Sequence, residues 1–226
     1  MSFITETSAF FIENKALFGA FPTQLQISQL EEWGVELIVN LTSNNEKKIK
    51  PYFTKCKVIQ YSIPDREVPN NLITFYSLVL FLSEIIKNNK KIYIHCKGGH
   101  GRSSLLVCVL ICFIYKIPPK LAFKYTSKFH ASRLIHSTNP KKNEYWKNKG
   151  FPQFKEQKIF VVETFQKYSI PIDSPFYIKN NWLSNCGLYD NYLLKTGLGF
   201  IIGKNGEELE KYRNNLFLKK AAYLFV

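Results

Sequence analysis

Residues 91–104, Lys-Ile-Tyr-Ile-His-Cys-Lys-Gly-Gly-His-Gly-Arg-Ser-Ser, constrain this chain more than any other stretch. The apolar run Ile92-Tyr93-Ile94 has the length and composition of a buried strand. A glycine-rich turn follows, with Gly98, Gly99 and Gly101, and then a long apolar segment, Leu105 to Tyr115, that reads as a buried helix. A strand that passes through a glycine-rich loop into a helix N-terminus gathers free backbone N–H groups and the positive end of the helix dipole at one point. That point attracts phosphate. Here it also holds Cys96 and, one loop length later, Arg102.

The rest of the chain supplies a fold to hold this loop. Residues 16–20 read as a strand end. Thr23-x-x-Gln26 is a capping box that opens a helix to Trp33, and Gly34 stops it. Val35 to Leu41 is a β-branched strand, and residues 42–51 are a polar, lysine-rich loop. Lys57 to Ile63 alternates as a strand and runs into a rigid loop between Pro64 and Pro69. Leu72 to Ile86 has helical periodicity. Strands alternating with helices predict an α/β class with a mostly parallel central sheet flanked by helices. After Pro118-Pro119 the spacing predicts an amphipathic helix with Lys120, Lys124 and Lys128 on a solvated face and Leu121, Tyr125 and Phe129 on another. Residues 133–152 read as a loop, and Phe154 to Tyr168 as a helix turning Ile159, Val162 and Phe165 inward. Pro171 to Pro175 marks a boundary, giving a domain over 1–170 and a small C-terminal extension over 171–226.

With 226 residues, 46% of them hydrophobic, the chain affords a real core and is not a disordered one. The formal net charge of +14 favours acidic partners: phosphorylated protein, phosphoinositide head groups or nucleic acid. Five cysteines form no paired framework, no signal peptide opens the sequence, and the longest apolar run is too short to span a bilayer. The expectation is a soluble protein of a reducing compartment, cytoplasmic or nuclear, with no transmembrane segment. Nothing in the pattern specifies an oligomeric state.

Several residues around the loop suit nucleophilic chemistry on phosphorus. The thiolate is the reactive form of cysteine, and Cys96 stands where amide dipoles and a helix N-terminus favour that form. The planar fork of Arg102 suits two non-bridging phosphate oxygens. Lys97, Gly98, Gly99, His100 and Gly101 complete the cradle, the glycines letting the backbone crowd an anion. Ser103 is placed to donate a hydrogen bond to the sulfur, and His95 to fix the loop and favour the charged thiol. A departing oxygen needs an acid. Asp65, in the proline-bounded loop after a strand, is the first candidate and Glu67 the second. His95, Cys96 and His100 lack a second ligand pair at zinc-like spacing, so no metal site is expected. Cys108 and Cys112 read as core, and His130 and His136 as surface or packing residues.

The motif His95-Cys96-x5-Arg102-Ser103 resembles the signature of the cysteine-dependent protein tyrosine phosphatase superfamily. The segments ALFGAFPTQLQISQLEEWGVELIVNLT, YSIPDREVPN and FPQFKEQKIFVVETF resemble the opening elements, general-acid loop and closing helix of its dual-specificity branch, over about residues 10–168. The resemblance implies a two-step mechanism without metal or cofactor. Cys96 attacks phosphorus, Arg102 and the backbone stabilise the transition state, and Asp65 acts as acid and then base. Ser104 stands where that family usually has glycine. The Lys97-Gly-Gly-His100 interior resembles the basic loop of phosphoinositide 3-phosphatase relatives. Dual-specificity hydrolysis of phosphotyrosine, phosphoserine and phosphothreonine in proteins is therefore the first reading. A phosphoinositide or RNA 5′-phosphate ester is the alternative, and a non-catalytic phosphate-binding module the third. In the tail, Gly199 to Leu209 resembles the I-I-G-x-x-G segment of an RNA-binding KH domain over about ten residues.

Overall fold

In the computed structural model, which describes residues 6–43, 46, 49–137, 139–168 and 201–202, the glycine-rich loop follows the central strand of a mixed sheet. Six strands, β1 (Ser8–Ile12), β2 (Ala16–Gly19), β3 (Val35–Asn40), β4 (Lys57–Gln60), β5 (Lys91–His95) and β6 (Ile201–Ile202), lie in the order β1-β2-β5-β3-β4-β6. The inner four are parallel, and β1 and β6 pair antiparallel at the two edges. The helices are α1 (Gln24–Glu32), α2 (Leu72–Lys87), α3 (Arg102–Tyr115), α4 (Pro119–Ala131), α5 (Asn143–Asn148) and α6 (Lys155–Tyr168). Among the described residues no helix is long and apolar enough to cross a membrane.

Strand alternation sorts the apolar side chains into two cores. Leu17, Ile38 and Tyr93 face α1 with Ile27 and Leu30. Phe18, Leu37, Val39, Ile92 and Ile94 face the opposite side, against Phe75, Leu78 and Val79 of α2 and the length of α3. Fully burying each such side chain stabilises by roughly 1.5–3 kcal/mol. Helix α3 is buried continuously from Arg102 to Cys112, because it lies against the sheet with α2, α4 and α6 around it. This is why its sequence is apolar on every side. Cys108 and Cys112 are part of this core, as expected.

The opening elements follow their local signals. In α1 the Thr23 side chain accepts from Gln26 N–H at 3.3 Å, and Gln26 Oε1 accepts from Thr23 N–H at 2.9 Å. Gly34 then stops the helix at φ +89°. Several expectations need correction. Residues 8–12 form a strand, through a hairpin turning at Asn14 (φ +57°), that had not been anticipated. Strand β4 ends at Gln60, although Tyr61 and Ile63 N–H still bond Asn40 and Leu41 carbonyls at 2.9 and 3.2 Å. Segment 133–152 is not all loop: it contains a 3-10 turn at Pro140–Lys142 and helix α5. The inward face of α4 is shifted from its predicted phase, and that of α6 is met only in part, with Phe165 packed against the core as expected. The inward face of α4 is Ala122, Thr126 and His130. In α6, Gln157, Val161 and Thr164 are buried while Ile159 is 45% exposed. The inward positions are partly polar because they receive specific hydrogen-bond partners, which apolar periodicity does not register. The expected boundary at Pro171–Pro175 lies outside the described residues. So does the KH-like segment, apart from Ile201–Ile202.

Buried rings tie α4 and α5 to the glycine-rich loop. His100 Nδ1 and His130 Nε2 share a hydrogen bond of 2.8 Å. His130 stacks on Phe151 at 3.7 Å, and Trp146 lies almost parallel to His100 at 4.3 Å and 4°. His136 Nε2–H donates to the His130 carbonyl at 3.0 Å. His130 and His136 are thus buried packing residues rather than surface ones. Burial pushes the His100 imidazole down to about 3, with Arg133 adding repulsion, and burial pushes His95 down to about 3 as well. In the unfolded chain both return to about 6.5, so between these values the unfolded state binds more protons. Their contribution is complete above pH 6.5 and is lost as pH falls toward 3. Unfolding free energy should therefore fall below pH 6.5 by about 1.4 kcal/mol per pH unit for each of the two histidines. Denaturant titrations from pH 7 to 4.5 measure this, and His100→Asn should remove about one proton from the slope; an unchanged slope in that variant contradicts the assignment.

Candidate active site

Parallel strands deliver their following loops to one edge of the sheet, and ligands of open α/β sheets bind there. Loop 96–101 leaves the central strand β5 at that edge, between β2 and β3, with the loop after β3 beside it and the segment after β4 one strand further out. Its conformation is set from outside. Phe21 N–H donates to the Lys97 carbonyl at 3.0 Å, and Arg133 Nη1 donates to the Gly99 carbonyl at 3.0 Å. Two loop carbonyls are thereby engaged by partners beyond the loop, which suits a cradle built from N–H groups. Gly99 has φ +73°, and a Cβ there would sit 2.5 Å from the Gly19 carbonyl carbon and 2.6 Å from Arg133 Nη1, so no other residue fits.

Cys96 is 2% exposed, and its Sγ lies 3.5 Å from Ser103 Oγ, as the motif suggested. Tyr52 Oη and His95 Nε2 share a hydrogen bond of 2.8 Å, and Phe21 stands edge-on to the same imidazole at 4.9 Å. His95 is therefore fixed in place. It is a neutral ring, so its expected influence on the thiol does not come from a full positive charge. The buried Arg102 guanidinium is met on three sides. Both carboxylate oxygens of Glu46 accept from it, Ile63 carbonyl accepts from Nη1 at 3.0 Å, and Asp65 Oδ1 accepts from Nη2 at 3.0 Å. Burial raises the pKa of Glu46, but hydrogen bonds from Arg102 and from Ser43 N–H outweigh it and hold the group below the usual carboxylate range. Asp65 is 58% exposed and reaches the arginine from the surface.

Cys96, Arg102, Asp65, Arg66, Lys97, Gly98, His100 and Gly101 line one cleft of about 280 Å³, together with Trp146, Gln153 and Phe154. Asp65 is in this lining and Glu67 is not, which separates the two acid candidates. Glu67 contributes its carbonyl, which accepts from the buried Gln157 Nε2 at 3.1 Å. That amide also packs against Gly101, so one α6 side chain touches both loops. The expectation that His100 adds basicity is overturned. Burial, with Arg133 adding to it, keeps His100 uncharged, and it serves as a shelf for Trp146.

Sequence reasoning missed Glu46, Tyr52, Arg133, Trp146 and Gln157. Arg133 is fully enclosed and donates also to Phe18 carbonyl at 3.2 Å, its guanidinium 4.5 Å from the Phe18 ring. Burial lowers Arg133 to about 10, which leaves it a cation at neutral pH directly beneath the loop. Its one signal was scarcity, since the chain has only four arginines. Glu46 gave a weaker one, an acid within a lysine-rich loop.

The model of the dual specificity phosphatase catalytic domain matches residues 17–150. The tyrosine phosphatase-like protein 197R of Invertebrate iridescent virus 6 is 46% identical over 123 residues, covering 52% of this chain and 46% of that protein. The corresponding protein 067L of Invertebrate iridescent virus 3 is 28% identical over 233 positions, covering 96% of this chain and 97% of that one. The chain thus spans less than half the length of the first relative and nearly all of the second. Among solved structures, Tk-PTP in its active form shares the fold at a TM-score of 0.55 and 17% identity, covering 72% of this chain and 98% of that one. A matched domain that takes in β2 through α5, with Cys96 and Arg102 in its central loop, means that this chain belongs to the dual specificity phosphatase catalytic-domain family of cysteine-based phosphatases.

Proposed function

We propose that the chain hydrolyses phosphate monoesters on proteins, with phosphotyrosine, phosphoserine and phosphothreonine as substrates, through a phosphocysteine on Cys96. The observation that carries this is the meeting of Cys96, Arg102 and Asp65 in one cleft, with Asp65 Oδ1 3.0 Å from Arg102 Nη2. The Cys96 thiolate attacks phosphorus, and the bond from phosphorus to the leaving oxygen breaks. Asp65 in its acid form gives that oxygen a proton. The same carboxylate then takes a proton from the water that attacks the phosphocysteine. The sulfur–phosphorus bond breaks, and Ser103 donates a hydrogen bond to the departing thiolate. Arg102, steadied by Glu46 and the Ile63 carbonyl, turns its remaining N–H groups to the phosphoryl oxygens, which carry the growing charge. An incoming phosphate displaces Asp65 from Nη2 and so frees the acid to meet the leaving group. The exposed acid is bonded directly to the arginine beside a buried sulfur.

The phosphoinositide alternative rested on two basic side chains in the loop. His100 is uncharged, and Lys97 and Arg66 remain in the lining as the cations that reading would use.

Cys96→Ser should abolish hydrolysis of a small aryl phosphate, and surviving activity would end the phosphocysteine mechanism. Asp65→Ala should slow an alkyl phosphate by roughly 10²–10⁴-fold and an activated aryl ester far less. Equal losses on both esters contradict the acid role. Glu46→Gln keeps the shape and removes the charge that orients Arg102, so kcat/KM should drop roughly tenfold or more while Asp65-dependent leaving-group selectivity stays. Steady-state kinetics on the paired esters reads both effects.

A further inference from the structure

The cleft has two kinds of lining. Asp65, Arg66 and Lys97 are polar or charged, while Trp146 and Phe154 are large and aromatic. Neither aromatic residue belongs to the sequence motif, and neither is used by the chemistry above. We propose that Trp146, supported by Phe154, selects phosphate esters carried on an aromatic ring, so that the enzyme ranks phosphotyrosine above phosphothreonine and above inositol phosphates. This inference rests on the reading of the chain as a phosphomonoesterase.

Trp146 is held in place before any substrate arrives. Its ring lies parallel to His100 at 4.3 Å, and His100 is fixed in turn by the 2.8 Å hydrogen bond to His130. Helix α5, which carries Trp146, is anchored where Asn143 Oδ1 accepts from His136 and Ser137 N–H at 2.9 and 2.7 Å. Phe154 is held at the start of α6, where its N–H donates to Gln157 Oε1 at 3.4 Å. A wall already ordered demands little conformational entropy on binding. A phenyl ring leaving the reacting phosphate reaches this wall and gains apolar and edge-to-face contact. A threonine side chain is too short to cover it. An inositol ring, edged with hydroxyl groups, gains less apolar contact from indole and phenyl surfaces than a phenyl ring does.

The test uses one peptide phosphorylated on tyrosine or on threonine at the same position, a short-chain phosphoinositide, and a small aryl phosphate. These are assayed with the wild-type chain, Trp146→Ala and Trp146→Phe. Trp146→Ala should lower the tyrosine-to-threonine ratio of kcat/KM roughly tenfold, about 1.4 kcal/mol, chiefly through KM for the tyrosine peptide. Trp146→Phe should keep most of the ratio. Because the ratio is taken within one preparation, partial unfolding cancels and cannot imitate the effect. An unchanged ratio in Trp146→Ala overturns the proposal, as does a wild-type preference for the phosphoinositide over the tyrosine peptide. Wild-type silence on the small aryl phosphate overturns the phosphomonoesterase reading first, and this proposal with it.

Discussion

A guanidinium that is 2% exposed has to be neutralised where it lies, and the arrangement around Arg102 follows from that requirement. The positive charge sits at the first turn of α3, at the positive end of the helix dipole, where the field alone disfavours it. Glu46 from the loop after β3, and the Ile63 carbonyl and Asp65 from the segment after β4, converge on it. The segments that follow β3 and β4 are thus gathered onto the start of α3 by one side chain. The loop that offers a nucleophile and the loop that offers an acid are linked through the group that would bind the phosphate between them. In the proposed mechanism a phosphate would compete with Asp65 for the same N–H group, coupling binding to release of the acid.

A second constraint acts from the other side of the loop. Arg133, Gly99 and the histidines hold the backbone of 97–101 against α4, α5 and the 151 segment. This layer keeps one buried cation, Arg133, beneath the cradle and keeps the imidazoles neutral around it. The distinction matters for the substrate. A charged His100 would add to the field felt by a highly anionic ligand, whereas a neutral His100 stacked under Trp146 gives the cleft an aromatic boundary. Burial, rather than residue type, decides which of these the loop becomes.

The legible parts of the sequence were those governed by local physics. The capping box at Thr23, the stop at Gly34, the alternation that splits Leu17, Ile38 and Tyr93 from Phe18, Val39 and Ile94, and the strand–loop–helix passage at 91–104 depend on neighbours within a few residues. The illegible parts depend on distant ones. Glu46 is 56 residues from Arg102, and Gln157 is 90 residues from the carbonyl it holds. The phase of α4, and part of that of α6, went astray for the same reason. Thr126, His130, Gln157 and Thr164 occupy inward positions that a hydrophobicity pattern assigns to apolar residues. Helix α5 was hidden because its six residues are too few to display a period.

Sequence alone determined the α/β class, the position of the phosphate-type loop, and the identity of its cysteine, arginine and serine. These follow from residue order within one strand, one turn and one helix, where chain connectivity leaves little choice. The sequence ranked Asp65 ahead of Glu67, and tertiary structure places Asp65 rather than Glu67 against Arg102. Tertiary structure also decided that burial keeps His100 uncharged and that Trp146 and Phe154 line the cleft. Protonation and shape depend on what surrounds a side chain in space, and the surroundings of His100 come from α4, α5 and the 151 segment, roughly 30 to 50 residues further along the chain.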